Sequence, residues 1–204
     1  MMADSICFFT GSRSLFNVLY DTLGFGWMLH EGFDLDLVTT SPADFGDEAA
    51  EYFDLYSYGQ PSTGIGETRA LDRYLAEHSP DTVVNVIAPS VQGATVGSLA
   101  RRHGTHFTYR YSGDLFALYR VSHGWRKPAQ FALNNLFGRL PLELADRCIA
   151  LGPTGKKRLV DRGKAPSDVS ILPPPIDAER FERETDPPDW DVPENRSVVL
   201  FAGR

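Results

Sequence analysis

The sequence predicts an α/β protein built on a doubly wound parallel sheet, and three observations carry that prediction. Short apolar runs alternate with stretches of helical spacing along most of the chain, the pattern of repeated strand-helix-strand units. The first run, residues 6–10, is continuous rather than alternating and ends in Gly11-Ser12, as expected of a strand buried on both faces that enters a tight turn. The run at 82–88, T-V-V-N-V-I-A, is rich in β-branched residues and is bounded by S-P-D and Pro89-Ser90, which marks another central strand.

The elements follow in order. After the first turn, Leu15, Phe16, Val18, Leu19, Thr22 and Leu23 recur at helical spacing, with Gly24 and Gly26 read as stop signals. Residues 35–39 form the second strand, and Ser41-Pro42 ends it. Residues 43–50 are acidic, a loop or short helix, and 52–58 alternate weakly as a strand would. From Gly66 to His78, Leu71, Tyr74 and Leu75 make an apolar stripe, while Glu67, Arg69, Asp72, Arg73 and Glu77 make a solvated face. A helix over 91–102, a strand over 106–111, a helix over 128–140, a strand over 146–151, a helix over 154–162 and a strand over 169–172 complete the alternation. A ligand crevice in such a sheet lies at the carboxyl ends of the strands. That directs attention to the turns at 11–13, 89–93 and 112–114.

Composition narrows the function classes. A hydrophobic content of 42% with 23% charged residues is that of a globular chain. The net charge of −7 opposes a nucleic-acid partner, because phosphate backbones need a basic field. Cys7 and Cys148 each lie within an apolar run and read as small core residues, with no disulfide framework and no metal site implied. The first turn, T-G-S-R-S-L-F, lacks the further glycines of a dinucleotide fingerprint, which disfavours an oxidoreductase or epimerase of the ordinary dinucleotide-binding kind. No cofactor is expected. The N-terminus has no basic region and its apolar run is too short for a signal peptide or membrane span, so a cytoplasmic location is expected.

Beyond the last βα unit, Pro173-Pro174-Pro175 cannot continue a central strand, and residues 182–196 are rich in Pro, Asp and Glu. Residues 1–172 therefore read as one domain and 173–196 as a linker. Residues 197–204, with the buried-strand run V-V-L-F-A, read as the first strand of a further domain.

The segment order, and above all S-P-D-T-V-V-N-V, A-D-R-C-I-A-L-G-P-T-G-K-K-R-L-V-D-R-G, V-S-I-L-P-P-P-I-D-A-E-R-F and V-V-L-F-A-G-R, resembles the N-terminal half of a retaining glycosyltransferase of family 4. The resemblance implies a Rossmann-like acceptor-side domain, the N-terminal half of a two-domain GT-B architecture. It implies transfer of a sugar from a nucleotide-sugar donor to a hydroxyl acceptor with retention, without a metal. Arg204 takes the place of the family's donor-diphosphate arginine, and Gly11 and Ser12 that of the turn where bare backbone approaches the donor. Ser112, Gly113 and Asp114 align with the family's His-Gly or His-Asp turn on the acceptor side, with serine in place of the histidine. Ser112 is able to hydrogen-bond but not to act as an imidazole. His106 reads as a structural histidine. Most of the family's donor-binding residues would lie beyond Arg204, so this chain alone is expected to be inactive. The alternative is a non-catalytic acceptor-binding subunit that pairs with a separate donor-domain chain.

One stretch departs from the acidic background. From Arg120 to Arg139 there is no acid, while Arg120, Arg126, Lys127 and Arg139 are basic and Trp125, Phe131, Leu133, Leu136 and Phe137 are apolar. Two readings stand: a helix whose apolar side packs on the sheet, or a surface segment in which Trp125, Arg126 and Lys127 meet an anionic membrane or a lipid-linked acceptor. The second would make the protein peripheral at the inner face of the membrane.

Overall fold

The computed structural model describes residues 4–11, 16–86, 90–113 and 115–176. Seven strands, β1 (Ser5–Gly11), β2 (Asp34–Thr39), β3 (Asp54–Tyr56), β4 (Thr82–Asn85), β5 (His106–Tyr111), β6 (Arg147–Ala150) and β7 (Val169–Ile171), pair in parallel in the order β3-β2-β1-β4-β5-β6-β7. The chain starts in the middle of the sheet, builds outward to β3, and returns past β1 to build outward on the other side. Helices α1 (Phe16–Leu29), α2 (Gly46–Ala49), α3 (Gly64–His78), α4 (Ser90–His103), α5 (Arg126–Phe131), α6 (Arg139–Leu144) and α7 (Pro153–Val160) supply the connections.

Both faces of the sheet are buried, as the continuous apolar runs require. Along β1, Cys7 and Phe9 point into one core with Leu71 and Leu75 of α3, Val96 of α4 and Leu159 of α7. Phe8 points into the other with Val18, Leu23 and Phe25 of α1 and Phe53. Cys7 and Cys148 are fully buried, free thiols, and burial pushes the Cys148 thiol up to about 11. At the amino edge, Ser5 N and Oγ both donate to Asp81 Oδ2, at 2.9 and 3.1 Å, which ties the start of β1 to the residue before β4.

Three expectations need correcting. Gly24 and Gly26 do not stop α1, which runs on to Leu29. They are small because something packs there: a Cβ on Gly26 would lie 2.4 Å from Phe53 Cε2, and one on Gly24 would lie 3.2 Å from Pro175 Cβ. The helix expected over 128–140 begins at Arg126 and is interrupted by a π-helical stretch, residues 132–137, before α6. Pro128 sits within its first turn, where its missing N–H costs nothing. The strand expected over 82–88 ends at Asn85, with 87–89 outside the described residues.

Among the described residues, no helix is long and apolar enough to cross a membrane. The chain leaving β7 does not run free. Leu172 N donates to Ala150 O at 2.9 Å, Leu172 packs on the α1 core, and Pro175 rests on Gly24.

Candidate active-site crevice

The strand order reverses between β1 and β4, because the connection after β1 goes to the α1 face and the connection after β4 goes to the α4 face. The carboxyl ends of these two strands therefore open a crevice. Its floor is Gly11. This residue has φ +63° and lies where the β1-β2 register slips, so only glycine adopts it without strain. Its carbonyl accepts from Thr39 Oγ1 at 3.0 Å and Thr40 N at 3.1 Å, which fixes the turn.

Two side chains converge over Gly11. Gln92, in the first turn of α4, donates from Nε2 to Glu67 Oε2 of α3 at 3.2 Å. A Cβ on Gly11 would lie 2.4 Å from the Gln92 amide nitrogen and 2.8 Å from Glu67 Oε2. Glu67 is positioned by the start of α3, where Thr63 Oγ1 accepts from Gly66 N at 3.2 Å and Thr63 O accepts from Glu67 N at 2.8 Å. The assignment of Glu67 to a solvated face is thus wrong: it turns toward the crevice, while Asp72 on the same helix pairs with His103 at 2.7 Å. Beneath them Asn85 is fully buried at the end of β4, and neither its Oδ1 nor its Nδ2 has a partner among the described residues. Gln92 Oε1 is in the same state. Buried amides without partners are rare enough in proteins to mark a place where another molecule completes the network.

A second opening lies along the same edge at the ends of β5 and β6. Tyr111, Gly113, Gly152, Thr154 and Arg158 are among the residues lining a cavity of about 380 Å³. Gly113 has φ +109° and is exposed, and Ser112 beside it is half-buried. The fold therefore brings Gly11, Ser112 and Gly113 to one edge of the sheet. Ser12, Asp114 and Arg204 lie outside the described residues, as do residues 197–204. Gly93, expected near the crevice, serves packing instead: its Cβ would lie 2.9 Å from Tyr109 Cε2. His106 is at the opposite, amino end of β5, exposed and 3.6 Å from Asp146 Oδ2. Trp125, Arg126 and Lys127 are exposed in the connection from β5 to β6, with Arg126 Cζ 6.0 Å from the Trp125 ring centroid. Among the described residues no group of three or more His, Cys, Asp or Glu could hold a metal.

Sequence reading missed Glu67 and Gln92. The available signal was positional, since each falls in the first turn of its helix.

The Glycosyltransferase Family 4 model matches residues 27–180, from the end of α1 through every later strand. The chain belongs to Glycosyltransferase Family 4. Its sheet is the Rossmann-like fold of the N-terminal half of a GT-B architecture. Among solved structures, the family 4 domain is similar to Anabaena HepE in complex with UDP and glucose. That pair is 9% identical with a TM-score of 0.60, covering 86% of this chain and 46% of that one. It is also similar to a UDP-N-acetylglucosamine 2-epimerase from Listeria monocytogenes, described as putative, at 15% identity and a TM-score of 0.57, covering 83% and 45%. The Neisseria meningitidis 2-epimerase bound to UDP-GlcNAc is 13% identical with a TM-score of 0.54, again covering 83% and 45%. At these identities the likeness is one of fold, and the chain spans less than half the length of each structure. No curated protein sequence matches the chain.

Proposed function

We propose that this domain is the acceptor-side half of a retaining glycosyltransferase that moves a sugar from a nucleotide-sugar donor to a hydroxyl acceptor. The observation that carries the reading is the crevice over Gly11, bare at its floor and rimmed by Glu67 and Gln92, in a chain of Glycosyltransferase Family 4. Gly11 and Ser12 face the donor, Ser112, Gly113 and Asp114 face the acceptor, and Arg204 takes the donor diphosphate. Residues 173–196 act as the linker and 197–204 open the donor-binding domain. The UDP and UDP-sugar held by structures of the same fold support a nucleotide-sugar donor here.

The test is an assay of the full-length protein with a panel of nucleotide sugars and hydroxyl acceptors. Glycosylated acceptor with the donor's anomeric configuration is the expected product. Release of an epimerised nucleotide sugar without any acceptor would overturn the transferase reading. The 204-residue chain alone is expected not to turn over.

A second reading places the protein at the inner face of the membrane, and it is favoured by exposure. Trp125 is 78% exposed, Leu136 65% and Phe137 57%. Such exposure favours the surface reading over packing of these side chains on the sheet. Exposed apolar groups beside Arg126 and Lys127 suit an anionic bilayer surface. Co-sedimentation with anionic liposomes should weaken in the R126E/K127E double variant, and unchanged pelleting would sink this reading.

A further inference from the structure

Three arginines lie close enough to feel one another's charge, and one of them is on the wall of the cavity between the ends of β5 and β6. Arg158 lines it with Tyr111, Gly113 and Gly152. Arg162, one turn further along, lays its guanidinium 3.6 Å from the centroid of Phe116, a ring that stacks on Tyr111 at 5.5 Å. It is pinned there by Nη2 donating to Asn135 Oδ1 at 3.2 Å. Arg139 opens α6, directly after the π-helical stretch that carries Asn135. Neither Arg139 nor Arg162 makes an ion pair among the described residues. Burial lowers the proton affinity of Arg162, and the charges of Arg139 and Arg158 push the same way. Like charges held close together repel one another, and a bound anion relieves that repulsion.

On its other side, the same stretch faces α4. Val91, Thr95 and Leu99 of α4 with Phe137 and Leu140 line a groove of about 400 Å³, which is apolar apart from the Thr95 and Ser98 hydroxyls. Val91, Phe137 and Leu140 are all exposed, so this groove opens to the surface. Arg139 lies between Phe137 and Leu140 in sequence, so the short segment that lines the groove also carries one arginine of the cluster.

From this juxtaposition we infer that the acceptor is a phosphate-bearing lipid, whose phosphate is taken by Arg139, Arg158 and Arg162 and whose hydrocarbon chain lies in the groove between α4 and residues 137–140. The inference rests on the glycosyltransferase reading and names the substrate class of its acceptor side. A guanidinium offers a planar fork that matches phosphate oxygens in pairs, and it remains charged when half-buried. The groove commits the occupant to an amphiphile, because a soluble sugar phosphate has nothing to place against Phe137 and Leu140.

The test is binding by the 204-residue chain without any nucleotide sugar, so it reads the acceptor site whether or not transfer is ever detected. Vesicles of equimolar phosphatidylcholine and phosphatidate, vesicles of phosphatidylcholine alone, and free glycerol 3-phosphate are compared for wild type, R139Q/R158Q and L140S. Far-UV circular dichroism checks that each variant is folded. Arg139 and Leu140 are exposed and Arg158 lies at the cavity wall, and R139K/R158K, which keeps charge but loses the fork, guards against a purely structural loss. Phosphatidate vesicles are expected to bind wild type, with affinity falling about tenfold or more in R139Q/R158Q and falling also in L140S. R139K/R158K should be intermediate. Vesicle binding indifferent to R139Q/R158Q overturns the inference, even if R126E/K127E weakens it. Glycerol 3-phosphate binding as tight as phosphatidate and indifferent to L140S overturns it too, by assigning the arginines to a soluble phosphate.

Discussion

Gln92 Nε2 and Glu67 Oε2, 3.2 Å apart, together occupy the space in which a Cβ on Gly11 would fall. Backbone conformation and crowding thus act on the same residue. G11A has to absorb a left-handed φ of +63° and displace both side chains, at a cost of about 1–3 kcal/mol. Thermal unfolding measures the loss. E67A leaves the backbone alone, so it should unfold near the wild-type temperature, while under the proposed transferase activity the full-length protein should lose about tenfold or more in kcat/KM. Wild-type kinetics in E67A would remove Glu67 from the crevice chemistry.

Arg110 is 1% exposed and its Nη1 lies 2.8 Å from Asp21 Oδ2, with its Cζ 5.3 Å from the Phe25 ring centroid. The pair joins β5 to α1 through the core. D21A leaves an uncompensated buried charge and should cost about 3–5 kcal/mol, whereas D21L/R110M, which removes both charges, should recover most of it. Urea unfolding of the three proteins decides this, and equal losses in the single and double variants would show that packing rather than charge governs the site.

Gly26 offers a test with opposite signs for its two readings. If it merely weakened the helix, G26A would stabilise by about 1 kcal/mol. With Phe53 Cε2 only 2.4 Å from the added Cβ, G26A should instead destabilise by about 1–3 kcal/mol.

Asp36 carries the pH dependence that is simplest to isolate. Burial holds its carboxyl above the ordinary 3.8, the Tyr74 hydroxyl that donates to Oδ2 works against this, and the charge of Asp54 adds to it. The native state therefore binds this proton more tightly than the unfolded state. Its contribution to stability is complete below pH 3.8 and declines as pH rises through the elevated value. D36N abolishes that decline. Y74F removes that donor, so the window should extend to higher pH, as followed by urea unfolding across the acid range.

Much of this fold was legible because the central strands are buried on both faces and the longer helices carry apolar residues at helical spacing. Ile6, Phe8 and Phe9 announce a central strand regardless of context. What was lost concerned residues whose chemistry suits two environments. Gly24 and Gly26 resemble helix terminators, yet their small size is used against Pro175 and Phe53, contacts made across sequence separations that periodicity does not sense. Glu67 resembles the other charged residues of α3, and only the convergence of α3 with Gly11 distinguishes it. The apolar residues of 131–137 were visible, but two readings of them stood, because the π-helical winding that sets their angular spacing leaves no mark in the sequence.

The anchoring of Pro175 on Gly24 has a mechanical consequence. β7 is an edge strand, and tension on a chain leaving an edge strand would ordinarily peel it from β6 one hydrogen bond at a time. Here the load on residue 176 is delivered first to α1, whose Phe25 lies against Arg110 of β5. Force is converted from unzipping at the margin into shear across a helix-sheet interface, the more resistant geometry because many contacts must yield together.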